Sequence, residues 1–405
     1  MFVYLQLNLK YAKNMLIDRQ ISAELRSLAR KYKVITITGP RQSGKTTLVK
    51  QVFPEMKYVS MEETDNREFA ANDPRAFLSK YNEGVILDEI QRTPDLLSYI
   101  QGMVDSRSDP AQFILTGSNQ FSMLSSISQS LAGRTAILKL LPFSIGEINS
   151  FPEEYDTDDY LFRGFYPAIY ANDLDPVRTY SYYFETYIEK DLRQLIRIKD
   201  LSLFTKFIRL CAGRIGSILN QSQIANETGV SVNTIDSWLS ILEASFIIFR
   251  LPPWFDNISK RLIKSPKLYF YDTGIACFLL GIRSKDHLTS HPLRGNLFEN
   301  MVVNELIKAH NNHGMNPQLY FFRDSSGNEL DLVIPEGLNL HAAEIKSSET
   351  FHSGFLKTIQ LFKKIYPERI KSTFLIYSGT TEQEVNATQV INFRNAGDMV
   401  YIQGN

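Results

Sequence analysis

The sequence predicts an α/β protein in three parts: a parallel-sheet core that binds phosphate, a helical middle region with a strand pair, and a C-terminal mixed α/β unit. Three observations predict it. A β-branched run passes directly into a glycine-rich loop and then a helical pattern. Further on, two short helical patterns separated by a Gly turn precede two apolar strand-like runs. Near the C-terminus, a long amphipathic pattern precedes three strand-like runs, two of which place charged residues at a period of two.

Size and composition allow this plan. The 405 residues make two to three domains at about 150 residues each. A hydrophobic content of 43% and a charged content of 22% exclude a disordered, collagen-like or coiled-coil chain. The two cysteines, Cys211 and Cys277, exclude a disulfide scaffold or Cys-rich zinc site and point to a reduced, cytoplasmic setting. Residues 1–16 carry Lys10 and Lys13 and precede no small-residue cleavage site, so no signal peptide is expected. Apolar runs are far too short to span a bilayer, so no membrane partner is expected. Lys+Arg and Asp+Glu both total 44, but unevenly: 18 basic against 15 acidic in 1–150, 2 against 7 in 151–180, 12 against 8 in 181–270, and 12 against 14 in 271–405. Neutrality therefore does not exclude a nucleic-acid partner. The cluster Glu153, Glu154, Asp156, Asp158 and Asp159 reads as a solvated linker. The expected domains are 1–150, 151–285 and 286–405.

The first element is the strand run Lys33-Val-Ile-Thr-Ile-Thr38. It leads into Gly39-Pro-Arg-Gln-Ser-Gly-Lys-Thr46 and the helical run Thr47-Leu-Val-Lys-Gln-Val-Phe53. Strand, Gly-x-x-x-x-Gly-Lys-Thr, helix is the context of a phosphate-binding P-loop. Gly39 and Gly44 let backbone N–H groups wrap a phosphate, with Pro40, Arg41, Gln42, Ser43 and Thr47 completing the cradle. Lys45 reaches the outer phosphates and Thr46 offers a hydroxyl to Mg²⁺. The strand Gly84-Val-Ile-Leu-Asp88 ends in an acid that suits the Mg²⁺ shell, and Glu89 is placed to polarise an attacking water. A third strand, Gln112-Phe-Ile-Leu-Thr116, ends at Gly117-Ser118-Asn119. Asn119, then Ser118, then Thr116 are candidates to hold the γ-phosphate or the water; the alternative is ordinary turn residues.

At this point the chain resembles a known family. The residues that carry the resemblance are Ile37-Thr-Gly-Pro-Arg-Gln-Ser-Gly-Lys-Thr-Thr-Leu48, Asp88-Glu-Ile-Gln91, Leu115-Thr-Gly-Ser118, Leu131-Ala-Gly-Arg134 and Leu141-Pro-Phe-Ser144 with Glu147. Their order and spacing, from about Ile17 onward, are similar to the bacterial and archaeal AAA+-type ATPases with an AAA_14 core and a DUF4143 C-terminal region. The resemblance implies an AAA+-like core using ATP rather than GTP. It also makes Arg134 a candidate transition-state or sensor arginine, with a structural ion pair as the alternative. If Arg134 acts across a subunit boundary, the chain works as a homo-oligomer.

The middle region opens with helical periodicity from Tyr180 to Ile198. It continues as Asn220-Gln-Ser-Gln-Ile-Ala-Asn-Glu-Thr-Gly229, a Gly turn, Ser231 as N-cap, and Val232-Asn-Thr-Ile-Asp-Ser-Trp-Leu-Ser-Ile-Leu242. Ile247-Ile-Phe-Arg-Leu251 and Lys267-Leu-Tyr-Phe-Tyr271 read as strands of a wing around a basic loop with Lys260, Arg261 and Lys264. This winged-helix pattern makes Ser231, Asn233 and Thr234 candidate DNA contacts. A winged helix that binds a protein partner is the equal alternative.

The last region reads as helix (Gly295 to Lys308), strand (Gln318-Leu-Tyr-Phe-Phe322), tight turn with Arg323 and Asp324, strand (Glu329-Leu-Asp-Leu-Val-Ile334), turn at Pro335-Glu-Gly337, and strand (His341-Ala-Ala-Glu-Ile-Lys346). The order resembles the PD-(D/E)xK nuclease-like fold. Period two puts Glu344 with Lys346 on one face and Glu329 with Asp331 on one face. Asp331 and Glu344 can then share Mg²⁺, Lys346 can orient a water, and Glu299 on the helix can complete the acid set. The alternative is an inactive descendant holding a buried ionic network. His341 reads as a strand surface residue. The whole predicts an ATP-hydrolysing machine coupled to a nuclease-like region acting on DNA, or else a nucleotide-switched interaction module.

Overall fold

The computed structural model describes residues 16–404 except 82, 107–108, 119–126, 128, 190–200 and 257–264. Asn119, Lys260, Arg261, Lys264 and the 190–198 part of the predicted helix lie outside the described residues.

The first unit is a five-stranded parallel sheet in the order β2-β3-β4-β1-β5. Its strands are β1 (Val34–Thr38), β2 (Lys57–Ser60), β3 (Val85–Asp88), β4 (Phe113–Gly117) and β5 (Thr135–Lys139). The runs predicted from sequence supply β1, β3 and β4, all fully buried, as expected of strands covered on both faces. One face packs Val34, Leu87, Leu97 and Phe113; the other packs Ile21, Ile35, Leu48 and Ile86. Helices α1 (Ser22–Ala29) and α2 (Lys45–Val52) cover the second face, and α3 (Leu96–Ser106) the first. α2 starts at Gly44, whose φ of +92° only glycine adopts readily. β4 lies between β1 and β3, so the end of β4 sits beside both the loop and the acidic strand end.

A short helix α4 (Ile145–Ile148), capped by Ser144 and Glu147 in a reciprocal box, leads out of the sheet. The middle unit then runs through α5 (Thr157–Arg163), α6 (Pro167–Ala171), α7 (Pro176–Tyr183) and one π-helical stretch, Phe184–Glu189. The acidic stretch is not a free linker. Asp156 caps α5, Asp156 and Asp159 pair with Lys285, and buried Asp158 pairs with Arg294, 136 positions away. Glu153 and Glu154 face water, while Asp156, Asp158 and Asp159 dock on two later segments.

Helices α8 (Leu201–Ala212), α9 (Gln221–Thr228) and α10 (Val232–Ala244) follow. With them runs an antiparallel three-stranded sheet, β6-β8-β7, of β6 (Ser217–Ile218), β7 (Ile248–Leu251) and β8 (Lys267–Phe270). Gly229 at φ +86° ends α9, and Ser231 caps α10, as the sequence predicts. Helix α11 (Thr273–Leu279) carries Cys277, and α8 carries Cys211; both thiols are buried and free.

The third unit is built on the long helix α12 (Arg294–Asn312) and a six-stranded mixed sheet, β13-β14-β12-β11-β10-β9. Its strands are β9 (Tyr320–Arg323), β10 (Glu329–Glu336), β11 (Asn339–Lys346), β12 (Ile370–Tyr377), β13 (Gln383–Val385) and β14 (Thr388–Asn392). Helix α13 (Lys357–Ile365) covers the far face. β10 runs through Pro335 and the turn falls later, at Gly337-Leu338; Pro335 needs no N–H there because its partner Leu340 donates away from it, to Arg369, and β9 on the other side does not extend past Tyr320. His341 is not on the surface. It is 2% exposed and is held by Ser372 and Glu336.

The middle and C-terminal units share one hydrophobic core. A single continuous cluster joins Tyr166, Phe207, Leu239 and Ile275 to Phe298, Val302, Ala343 and Phe393. The segment after β7 also pairs with β9 through Pro252, Pro253 and Trp254.

Candidate functional site

The loop after β1 closes on its own backbone through Lys45, whose Nζ donates to the Gly39 carbonyl at 3.0 Å and the Pro40 carbonyl at 2.8 Å. Burial pushes this ammonium down to about 8; Glu89 and Asp88 pull the other way. At neutral pH Lys45 therefore remains a cation. Gly39 sits where a Cβ would collide with the Leu140 carbonyl, so the loop's first glycine is a packing requirement as well as a conformational one.

Asp88 is the centre of the polar network. Thr46 Oγ1 donates to Asp88 Oδ2 at 2.9 Å and Tyr58 OH donates to the same oxygen at 2.6 Å. Thr116 Oγ1, from the end of β4, donates to Asp88 Oδ1. Glu89 follows with φ +56°, an uncommon left-handed backbone for a side chain of this size. Its carboxylate accepts from Ser118 Oγ at 3.1 Å and from Gln91. The geometry thus brings together Lys45, Thr46, Asp88, Glu89, Thr116 and Ser118. Tyr58 was not expected from the sequence; it lies on β2, an element with no motif.

Of these groups Lys45, Thr46 and Glu89 line a cavity of about 460 Å³, together with Arg19 and Phe143. The loop residues Arg41, Gln42, Gly44, Lys45, Thr46 and Thr47 line one wall. The opposite wall comes from Leu16, Ile17 and the α6 residues Pro167, Ala168 and Ala171, with Asn172 just beyond. The middle unit thus completes the pocket. Arg41 also lies over the Tyr187 ring at 5.3 Å. A threonine hydroxyl beside a carboxylate is a donor set that suits a hard divalent cation, so Thr46 and Asp88 fit Mg²⁺. Arg134 does not line this cavity. Its guanidinium is bonded to Asp105 on the surface, through Nε at 2.6 Å and Nη2 at 2.9 Å.

The second cluster lies where α12 meets β8, β10 and β11. Glu299, Glu329, Asp331, Glu344 and Lys346 converge as their spacing predicts, and a residue not expected from the sequence sits among them. Lys267 opens β8 and is 1% exposed. Its Nζ reaches Glu299 at 2.8 Å, Glu329 at 2.6 Å and Asp331 at 3.9 Å. Tyr269 OH also donates to Glu299, at 2.5 Å. Lys346 Nζ bonds Glu344 at 2.6 Å and lies 3.9 Å from Asp331, which in turn accepts the Ile345 N–H. The second Glu344 oxygen is buried without a partner. Burial, then the Asp331 charge, raises Glu299 to about 7 and Glu344 to about 8.

Of the two acids expected to share Mg²⁺, Asp331 lies 3.9 Å from the Lys267 ammonium, while Glu344 is bonded to Lys346. The ammonium of Lys267 already lies among three of the acids, where a second cation would be repelled. Among the described residues, no three His, Cys, Asp or Glu side chains are grouped to hold a metal ion. The one hint in the sequence was a lone lysine heading an otherwise apolar buried run.

At the helix pair, Ser231 and Thr234 serve the cap: Ser231 Oγ accepts the Thr234 N–H at 3.1 Å and meets its hydroxyl at 2.8 Å. Asn233 is exposed. Among the described residues no helix is long and apolar enough to cross a membrane.

An AAA domain family matches residues 31–149, a domain of unknown function (DUF8612) residues 154–286, and another (DUF4143) residues 294–396. Two relatives, the uncharacterized proteins Rv2008c of Mycobacterium tuberculosis and Mb2031c of Mycobacterium bovis, are each 32% identical over 83% of this chain and 75% of their own. An uncharacterized protein of Haemophilus influenzae is 23% identical over 67% of this chain and 74% of its own. Among solved structures, the Walker-type ATPase PabY2304 of Pyrococcus abyssi aligns with a TM-score of 0.43 and 16% identity, covering 65% of this chain and 96% of that one. A single-substitution variant of RuvB from Thermotoga maritima aligns at 0.32 and 20%, covering 58% and 90%.

Proposed function

Because this chain belongs to the family of AAA-type ATPases that carry a DUF4143 C-terminal region, we propose that it hydrolyses ATP with Mg²⁺ and that the nucleotide state sets the conformation of the rest of the chain. The observation that carries the reading is the convergence on Asp88 of the loop hydroxyl Thr46 and the β4 hydroxyl Thr116, with Glu89 next in sequence. Thr46 and Asp88 would hold Mg²⁺, which when bound neutralises charge on the phosphate oxygens. Lys45, cationic at neutral pH, binds the outer phosphates. Glu89, held by Ser118 and Gln91, orients a water and takes its proton. The apolar α6 residues Pro167, Ala168 and Ala171 offer a wall against which the base would pack. Arg134 has its side chain on Asp105, the structural ion pair that was the alternative to a catalytic role; only in a homo-oligomer, reaching a neighbour's nucleotide, would it take part in hydrolysis. Steady-state turnover tests the reading. Lys45→Ala is expected to lose ATP binding, and Glu89→Gln to keep binding while turnover falls by about 10²-fold or more; unchanged turnover in both variants would overturn it.

For the helix pair and the C-terminal unit, the reading is a nucleotide-switched interaction module. We read α8 to β8 as a winged helix with a protein partner, on one observation: neither α9 nor α10 contains a Lys or Arg, while Glu227, Asp236 and Glu243 lie on them. A recognition helix without cations lacks the phosphate attraction that dominates DNA affinity. Duplex binding followed by fluorescence anisotropy decides. Affinity that falls steeply with salt would restore DNA, with Ser231, Asn233 and Thr234 as contacts. The PD-(D/E)xK-like order of Glu299, Asp331, Glu344 and Lys346 motivates a cleavage assay with Mg²⁺ or Mn²⁺. No cleavage is expected while Lys267 is present; cleavage lost in Asp331→Ala and Lys346→Ala would restore the nuclease reading.

A further inference from the structure

Arg19 lies outside every motif, in the segment before α1, yet its guanidinium is buried against the phosphate-binding loop. Only 6% of the residue is exposed. Nη1 donates to the Ser43 carbonyl at 2.8 Å, Nη2 to the Leu141 carbonyl at 2.7 Å and Nε to Glu147 Oε1 at 2.9 Å. The Phe143 ring lies 5.0 Å away. Three aligned acceptors, one of them charged, are what a buried guanidinium needs to offset its lost hydration. The Ser43 carbonyl belongs to the same planar trans peptide as the Gly44 N–H. Holding one therefore sets the direction of the other, at a glycine whose backbone has no side chain to restrain it.

The contact does not end at Arg19. Glu147 is fully used: Oε1 also accepts the Gln20 N–H at 2.8 Å, and Oε2 accepts the Ser144 N–H at 2.9 Å. From the same turn of α4, the Ile145 N–H donates to Glu305 Oε2 at 2.8 Å. Glu305 Oε1 accepts from Lys308 Nζ at 2.7 Å, and that ammonium also donates to the Phe143 carbonyl at 2.8 Å. Asn312 and Ser144 both donate to Gln20 Oε1 at 3.0 Å. A buried, charge-assisted chain thus runs from the loop through Arg19, Glu147 and α4 to α12. Two turns earlier on α12 stands Glu299, bonded to Lys267.

We propose that Arg19 is a positioning residue for the phosphate-binding loop, and that Arg19, Glu147 and Glu305 couple the loop's occupancy to α12. The proposal rests on the ATP reading above. Arg19 lines the same cavity as Lys45, but each of its three nitrogens is already bonded to protein, so its removal loosens the nucleotide cradle more than it alters the reacting groups. Glu305 touches neither loop nor phosphate, so its removal cuts the link and leaves the cradle.

The test uses the full chain and ATP with Mg²⁺, read by fluorescent-nucleotide affinity, by kcat and KM, and by hydrogen exchange of residues 294–312 with and without nucleotide. Arg19→Gln is expected to weaken ATP affinity about tenfold or more, with KM rising more than kcat falls. Arg19→Lys, which keeps the charge but cannot reach all three acceptors, should fall between the two; it decides the matter if Arg19→Gln does not fold. Glu305→Gln should keep ATP affinity within about twofold and lose the nucleotide-dependent change in exchange. Wild-type affinity in both Arg19 variants overturns the positioning role. A nucleotide-dependent change retained in Glu305→Gln, or absent from wild type that binds ATP, overturns the coupling. Wild type that binds no ATP instead overturns the ATPase reading.

Discussion

Lys267 has almost no contact with water and faces three carboxylates, so its charge is part of the packing. Lys267→Met would leave Glu299, Glu329 and Asp331 facing one another in a buried site. Near neutral pH this should cost about 3–5 kcal/mol of stability, measured by urea unfolding. A companion effect follows from the raised acids. Glu299 and Glu344, at about 7 and about 8, hold their protons more tightly folded than unfolded, where the value is 4.5. The unfolded chain binds fewer protons across that window, so this pair's contribution to stability is present below pH 4.5 and is lost as pH rises through about 7 to about 8. Unfolding midpoints measured across the window in wild type and Glu344→Gln check it: the variant should show the shallower decline. At this scale the sequence disclosed the groups whose chemistry demands contiguous residues. Gly39, Gly44, Lys45 and Thr46 share one loop, and Asp88 and Glu89 end one strand. Lys267 and Arg19 escaped notice because each acts on residues distant in sequence. No local spacing marks such a contact.

At the scale of elements, α12 does work that its amphipathic pattern only partly foretold. β6 stops at Leu268's partner, so Phe270 of β8 has no strand on that side. The helix replaces it. Asn300 Oδ1 accepts the Phe270 N–H at 2.7 Å, and the Asn300 and Asn304 amides donate to the Phe270 carbonyl at 2.9 Å and 2.6 Å. Asn300→Leu keeps the volume but orphans a buried N–H. It should cost about 1–3 kcal/mol in thermal or urea unfolding, whereas Asn233→Leu on the exposed face of α10 should change stability by less than about 0.5 kcal/mol. The strands were readable because buried β-branched and aromatic runs leave few other conformations open. The acidic stretch was legible in part: Glu153 and Glu154 face water as charge density suggests, while Asp156, Asp158 and Asp159 meet Lys285 and Arg294, partners that only the fold brings to them.

At the scale of the whole molecule, the three parts expected from composition and motif order carry no sign of how interior is shared between them. The core that runs from Tyr166 to Phe393 crosses the expected boundary at 285. A chain cut there should expose part of that core on both fragments. Fragments 1–285 and 286–405 expressed apart are expected to aggregate or bind a hydrophobic dye, and to recover soluble form when co-expressed. Compact, dye-free fragments would show that the shared core is dispensable. A shared core also explains why the boundary was hard to see: a domain edge is written in composition only where the chain leaves the interior.

Cys211 and Cys277 give this interior a built-in reporter. Burial raises both thiols well above their ordinary range, so the folded chain offers alkylating reagents no reactive thiolate. Each sulfur lies within the shared core, one on α8 and one on α11. The rate at which a maleimide or iodoacetamide adds mass to the unmodified protein thus times the opening of the middle unit, without a label or an engineered cysteine. A change in that rate on adding ATP would place the opening under nucleotide control.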